Sequence, residues 1–97
     1  MDSKTRAKLR SLAQKVSPSV AIGKTGLTDG VIDQIRMNLN AHELVKIDVL
    51  ETADVDKKEL MSTICDMLGA EPVCTIGRKI VVYKFSPKVK NHVLNAE

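Results

Sequence analysis

The chain has 97 residues, of which 43% are hydrophobic and 28% charged, and its formal net charge at pH 7 is +3. This length suits one domain with a modest core and excludes a core joined to a separate catalytic lobe. The short apolar runs exclude a membrane-spanning helix, and the hydrophobic content excludes a disordered chain. Because no apolar stretch of signal-peptide length follows Met1, we expect a cytoplasmic protein.

The charged residues are unevenly distributed along the chain. Residues 1–26 contain six Lys or Arg and one acid, whereas residues 27–71 contain four bases and ten acids. Residues 72–97 contain five bases and one acid. Two basic ends therefore flank an acidic middle, and if the ends meet in the fold, their combined field favours a polyanionic partner.

The first predicted element is a helix over residues 3–15. Its apolar stripe repeats at helical spacing through Leu9, Leu12, Ala13 and Val16. At about 100° per residue, two basic flanks border this stripe, formed by Lys4, Lys8 and Lys15 on one side and by Arg6 and Arg10 on the other. Pro18 ends the helix because it restricts the residue before it.

A short strand over residues 20–22 comes next, followed by the turn Gly23-Lys24-Thr25-Gly26. Thr28 is a suitable N-cap for a second helix that ends near His42. Residues 44–50 are predicted to form a strand in which Lys46 and Asp48 alternate with apolar residues.

Asp56 and Glu59 have the spacing of a capping box at the start of a third helix, which Gly69 ends. Strands over residues 73–76 and 80–85 are joined by a tight hairpin at Gly77-Arg78. The order α-β-α-β-α-β-β predicts a compact α/β domain with a mixed four-stranded sheet over residues 1–86. It leaves the order of the strands open. The basic tail, residues 87–97, has little to bury and is expected to be mobile.

The glycine-rich turn does not fit a nucleotide-binding loop. A mononucleotide loop needs a glycine five residues before Gly23, where Pro18 stands, and the dinucleotide fingerprint is also absent. What remains is Gly-x-x-Gly, with Lys24 at its tip and a helix N-terminus behind it, the arrangement with which KH domains clamp a nucleic-acid backbone. The alternative is a plain turn in which the two glycines only adopt positive φ angles.

No other motif predicts catalysis or a metal site. His42 and His92 have no serine–acid or cysteine partner nearby, and Cys65 and Cys74 lack the spacing of metal ligands and are expected to be core residues. We therefore expect no enzyme, no cofactor and no small-molecule substrate. Tyr83 is either a stacking residue or a half-buried strand residue. With so few aromatic residues, backbone charge and shape would dominate any RNA contact.

Three segments resemble the signature segments of the CRM domain, the YhbY-like family of RNA-binding proteins. They are Gly23-Lys-Thr-Gly-Leu-Thr-Asp-Gly-Val31, His42-Glu-Leu-Val-Lys-Ile47 and Ile76-Gly-Arg-Lys-Ile-Val-Val-Tyr83. The resemblance extends from about Lys4 to Phe85. It implies a fold similar to the C-terminal domain of translation initiation factor three, and association with ribosomal RNA in precursors of the large subunit. It also implies that residues 23–26 contact the RNA backbone.

These observations predict a monomeric, non-catalytic RNA-binding domain with no membrane contact. The predicted RNA-binding residues are Gly23, Lys24, Thr25, Gly26, Lys4, Arg6, Lys8, Arg10, Lys15, Arg78 and Lys79. The competing interpretation is an adaptor that docks on ribosomal proteins through the acidic middle.

Overall fold

The computed structural model describes residues 1–95; the last two residues of the predicted tail lie outside this range. The elements in chain order are α1 (Ser3–Ala13), β1 (Val20–Ile22), α2 (Asp29–His42), β2 (Leu44–Val49), α3 (Lys57–Leu68), β3 (Glu71–Ile76), β4 (Lys79–Tyr83) and the 3-10 helix η1 (Val93–Asn95). The predicted order is confirmed. The boundaries differ from the predicted ones by no more than two residues.

Side chains and a glycine set the helix ends. The Thr28 hydroxyl accepts the Val31 N–H at 3.2 Å, and the Asp56 carboxylate accepts the Lys58 N–H at 2.9 Å, as expected of N-caps. Gly69 ends α3 in the left-handed region with φ 66°. Within residues 1–95, no helix combines the length and the apolar composition needed to cross a membrane.

The four strands form one mixed sheet in the order β1-β2-β4-β3. β1 and β2 are parallel, whereas β4 is antiparallel to both β2 and β3, so the first three strands point the same way. The two crossovers move in the same direction across the sheet, and right-handed connections therefore place α2 and α3 on one face. We call the end of the sheet where β1 and β2 finish the upper end, and the opposite end the lower end.

The hairpin between β3 and β4 inserts the last strand into the sheet. Ile76 pairs with Lys79, so Gly77 and Arg78 form a two-residue turn. Gly77 has φ 57° while Arg78 has a negative φ, which is the glycine-first hairpin turn that the sequence predicts. β4 consequently lies between β2 and β3 and separates two strands that a crossover connects.

Both faces of the sheet are covered. The core on one face is formed with α2 and α3 and includes Ile22, Ile35, Ile47, Ile64 and Ile80. The core on the other face, which we call the α1 face, includes Leu9, Ala13, Leu44, Val81 and Tyr83. The two cysteines pack into different cores, Cys65 beneath α3 and Cys74 on the α1 face. Burial, with a smaller contribution from nearby Asp66 and Glu71, raises the pKa of the Cys65 thiol to about 11.

The segment that follows β4 folds back onto the lower end of the sheet. Ser86 is buried, its N–H donates to Glu43 Oε2 at 2.8 Å, and the Val93 N–H donates to Glu43 Oε1 at 2.8 Å. Val93 and Leu94 also pack against the core of the α1 face. The expectation that the tail, residues 87–97, has little to bury is therefore wrong for Val93 and Leu94. The departure of His92 and Val93 would also remove two partners of a buried carboxylate.

Glu43, the C-cap of α2, is fully buried and has φ 68°. Burial raises the pKa of its carboxyl group, but hydrogen bonds from Ser86, His92 and Val93 outweigh burial and hold the pKa below its usual range. A pKa that is lower in the folded state stabilises the fold above the unfolded-state value of about 4.3. This contribution is lost as the pH falls through the folded-state pKa.

We therefore predict that Glu43→Gln lowers the free energy of unfolding by about 2 kcal/mol at pH 7, because hydrogen bonds to a charged acceptor are replaced by weaker ones. The difference from the wild type should shrink as the pH falls below about 4. Urea unfolding at pH 7 and at steps down to pH 3 measures both effects. Asp66→Asn, at an exposed position of α3, is the control. Equal unfolding free energies for wild type and Glu43→Gln at every pH would contradict the prediction.

Candidate nucleic-acid interface

The glycine loop, residues 23–26, connects β1 to α2 at the upper end of the sheet. The Gly26 N–H donates to the Gly23 carbonyl at 3.0 Å, and the Thr28 N–H donates to the Gly26 carbonyl at 3.2 Å. Gly26 has φ 71°, in the left-handed region that favours glycine, whereas Gly23 does not have a positive φ. The loop is therefore a tight turn that leads directly into the N-cap of α2.

The outer side of the glycine loop is open. Lys24 and Thr25 are exposed, and no heavy atom of another residue lies within 4 Å of the position that a Gly26 Cβ would occupy. Gly23 faces inward, 3.5 Å from Leu50 Cδ1 by the same measure. Thr28 accepts the Val31 N–H, so the N–H groups of Asp29 and Gly30 are the backbone donors that the start of α2 can present, together with Lys24, to an anion.

The two basic flanks of α1 lie on opposite sides of the helix. Arg6 and Arg10 border a shallow pocket of about 190 Å³ beside Val73 of β3. On the other side, Lys8 Nζ donates to the Leu94 carbonyl of η1. The two basic ends of the chain therefore meet on the α1 face, as the charge pattern requires for a common field.

These charges extend across the sheet rather than gathering at the glycine loop. α1 begins near the lower end, where the Met1 amino group lies 3.9 Å from Glu71 Oε2 of β3. It ends against the α1 face of β2, where Lys46 Nζ donates to the Ala13 carbonyl at 3.2 Å. Val16 and Ser17, which follow α1, line a pocket with His42 and Leu44 at the lower end, so α1 crosses the lower half of the sheet. Since α1 begins beside β3 and ends beside β2, the neighbour of β1, Lys15 is nearer to the glycine loop than Lys4.

Arg78 and Lys79 reach the upper end of the sheet, but each has an acidic partner there. Arg78 lies 2.8 Å from Glu51 and Lys79 lies 3.9 Å from Asp48. With strands about 4.8 Å apart, the hairpin turn is about 10 Å from the glycine loop. The acidic middle of the sequence is therefore not separated from this basic pair in the fold, although such exposed ion pairs are weak.

Lys46 lies on the α1 face, but it was not among the predicted RNA-binding residues because it belongs to the acidic middle of the sequence. Its half-buried side chain caps the last turn of α1. Burial raises the pKa of the neighbouring Cys74 thiol, and the charges of Arg10 and Lys46 oppose that effect, which places both cations beside Cys74. The alternation of polar and apolar residues along β2 could have identified Lys46, because it puts Lys46 on the face of the sheet opposite Val45 and Ile47.

The CRS1/YhbY (CRM) domain matches residues 1–84. The chain belongs to the CRM domain family. A Bacillus subtilis protein named Probable RNA-binding protein YqeI is 38% identical over 82 residues, which are 84% of this chain and 85% of that protein. A Haemophilus influenzae protein named RNA-binding protein is 34% identical over 90 residues, which are 93% of this chain and 91% of that protein. The solution structure of the hypothetical protein SAV1595 from Staphylococcus aureus has a TM-score of 0.77 and 40% identity, covering 89% of this chain and 90% of that one.

The resemblance to the CRM family that the three segments indicate is confirmed, and the α/β fold class is confirmed with it. The matched residues include the glycine loop, α1 and the β3–β4 hairpin, and they end before Phe85. Within residues 1–95, no three His, Cys, Asp or Glu side chains are grouped as metal ligands.

Of Tyr83 and Phe85, only Phe85 is available to a ligand. Tyr83 is 8% exposed and belongs to the core of the α1 face, so of its two interpretations the strand residue is correct. Burial and, to a smaller extent, nearby Glu43 raise the pKa of its phenol. Phe85 is 58% exposed.

The different geometries of the two loop glycines generate a prediction about stability. Gly26→Ala should cost about 1 kcal/mol, because an alanine is strained at φ 71° even where space is available. Gly23→Ala should be neutral or slightly stabilising, since its Cβ would make only ordinary contacts and alanine restricts the unfolded chain. Denaturant unfolding of both variants measures the difference. A larger loss for Gly23→Ala than for Gly26→Ala would contradict this account of the loop.

Proposed function

We propose that this CRM domain is a non-catalytic RNA-binding protein that associates with ribosomal RNA in precursors of the large ribosomal subunit. It acts as a cytoplasmic monomer. The observation that carries the proposal is the open glycine loop, which holds Lys24 above the N-terminus of α2. Relatives covering most of the chain are named RNA-binding proteins, which supports RNA as the partner.

The basic residues of α1 and of the glycine loop are not neutralised by the rest of the fold, unlike Arg78 and Lys79. Lys4, Arg6, Arg10, Lys15 and Lys24 have no carboxylate of residues 1–95 within 4 Å. Lys8 donates to a carbonyl, which leaves its charge uncompensated. These cations attract phosphates along the α1 side of the molecule.

The start of α3 is acidic and repels a polyanion. The pocket of about 330 Å³ at the start of α3 is lined by Asp54, Asp56 and Glu59. α2 and α3 lie together on the face of the sheet away from α1. Because α3 begins at the same end of the sheet as the glycine loop, we infer that RNA reaches the loop from the side away from α3. The β3–β4 hairpin contributes less because its two cations are paired.

The glycine loop positions the RNA backbone and does not recognise its sequence. Backbone N–H groups and Lys24 bind phosphate oxygens, which every RNA carries. If about four phosphates are contacted, the single-strand slope of about −0.7 per phosphate predicts that affinity falls about 50-fold between 50 and 200 mM salt. Sequence preference must come from other contacts.

The loop contact is tested by Lys24→Ala. The change removes one charge-assisted phosphate contact, so RNA affinity should fall about ten-fold, and the slope of log affinity against log salt should become shallower by about 0.7. Thermal stability should be unchanged because Lys24 is an exposed loop residue. The measurement is a titration of an unstructured RNA oligonucleotide at several salt concentrations, beside a melting curve.

Arg36→Ala is the matched control, because it removes the same unit of charge from the outer side of α2. Arg36 is eight residues after Thr28, about 12 Å along the helix, and it pairs with Asp33. Lys58, a lysine in the first turn of α3, is a less suitable control, because α3 begins at the same end of the sheet as the glycine loop and RNA bound there could contact it. Equal losses of RNA affinity for Lys24→Ala and Arg36→Ala would show that the glycine loop is a plain turn with no specific RNA contact.

The ribosomal target is tested by crosslinking in cells and sequencing the bound RNA. We expect large-subunit ribosomal RNA to be enriched, and ribonuclease treatment to release the protein from assembly particles, because the contacts are made to RNA. A protein that stays on the particles after ribonuclease treatment would instead favour the adaptor that docks on ribosomal proteins.

A further inference from the structure

Phe85 lies on the surface in a chain that has only one Phe, one Tyr and no Trp. It is 58% exposed, although burying a phenylalanine side chain stabilises a fold. One face of its ring stacks on the His92 imidazole, with ring centroids 4.5 Å apart and an interplanar angle of 20°. With one face covered and more than half of the side chain exposed, the other face of the ring is open to solvent.

The ring is held on a rigid base. The Lys84 N–H donates to the Glu43 carbonyl at 2.9 Å and the Ser86 N–H donates to the Glu43 carboxylate at 2.8 Å, so both neighbours of Phe85 are anchored to one buried residue. The same carboxylate lies 2.7 Å from His92 Nδ1 and orients the imidazole. A stacking surface that is fixed in advance loses little conformational entropy when a ligand binds.

The surroundings of Phe85 suit a nucleotide. Lys88 and Lys90 are exposed on the same segment. Beside His92 is a shallow pocket of about 270 Å³, lined also by Lys90, Asn91 and Asn95. Asparagine amides offer both donors and acceptors to the edge of a base, and lysines contact phosphates.

We propose that Phe85 is a stacking platform for one unpaired RNA base at the lower end of the sheet, with His92 as its support. The proposal rests on the RNA-binding function proposed above and adds a base contact to the phosphate contacts of the glycine loop. β2 spans six residues, so the two contacts are about 20 Å apart. Lys8, whose Nζ reaches Leu94, links the basic flank of α1 to this segment.

The test compares a single-stranded RNA oligonucleotide with an abasic oligonucleotide of the same length, which carries the same phosphates and no bases. The wild type should bind the base-bearing RNA about ten-fold more tightly. Phe85→Leu keeps an apolar side chain without an aromatic face and should abolish this preference, whereas Phe85→Trp should retain it. Met37→Leu, at a 69% exposed position of α2, is the control and should leave the preference unchanged.

Lys24→Ala separates this proposal from the proposed function, because it should weaken binding of both oligonucleotides and preserve their ratio. Equal wild-type affinity for the two oligonucleotides, or an undiminished preference in Phe85→Leu, overturns the platform while leaving the glycine loop intact. Failure of the wild type to bind either oligonucleotide overturns both proposals. If Phe85→Leu disturbs the fold, NMR of the wild type decides: the Phe85 ring resonances should shift with base-bearing RNA and not with abasic RNA.

Discussion

The two-sided burial of β2 and β4 is the constraint on which the rest of the structure depends. Successive residues of a strand point to opposite faces, so a run such as Ile80 to Tyr83 cannot be buried by helices on one side only. α2 and α3 cover one face because both crossovers are right-handed and move in the same direction. The other face needs α1, and covering it leaves the basic flanks of α1 on the outside of the molecule.

Glu43 stabilises the lower end of the sheet and also holds the segment after β4 in position. Its main chain ends α2 and accepts a hydrogen bond from the residue after β4, while its carboxylate binds Ser86, His92 and Val93. A buried carboxylate with these partners is stabilising only while all of them are in place. The same contacts orient Phe85 and His92, so replacing Glu43 would change stability and the proposed base contact together. For this reason the base contact is tested at Phe85.

The candidate interface is extended, with different chemistry at its two ends. At the upper end, the glycine loop offers N–H groups and Lys24 to phosphates. At the lower end, the exposed ring of Phe85 offers a surface on which a base can stack, and α1 crosses this half of the sheet with its uncompensated cations. Phosphate contacts supply affinity and position, whereas a base contact supplies preference for unpaired RNA. This division of roles suits a domain in which the pockets beside Arg6, Arg10 and Lys90 are shallow.

The sequence alone determined the elements and the glycine loop, because their signals are local. The caps at Thr28 and Asp56, the alternation of β2 and the glycine-first turn at Gly77 each depend on residues only a few positions apart. The tertiary structure decided what depends on distant partners: the insertion of β4 between β2 and β3, and the pairing of Arg78 with Glu51. It also decided that the tail packs against the domain. His92 and Val93 look like solvated residues in the sequence, and only the fold brings a buried Glu43, about fifty positions earlier, within hydrogen-bonding distance of them.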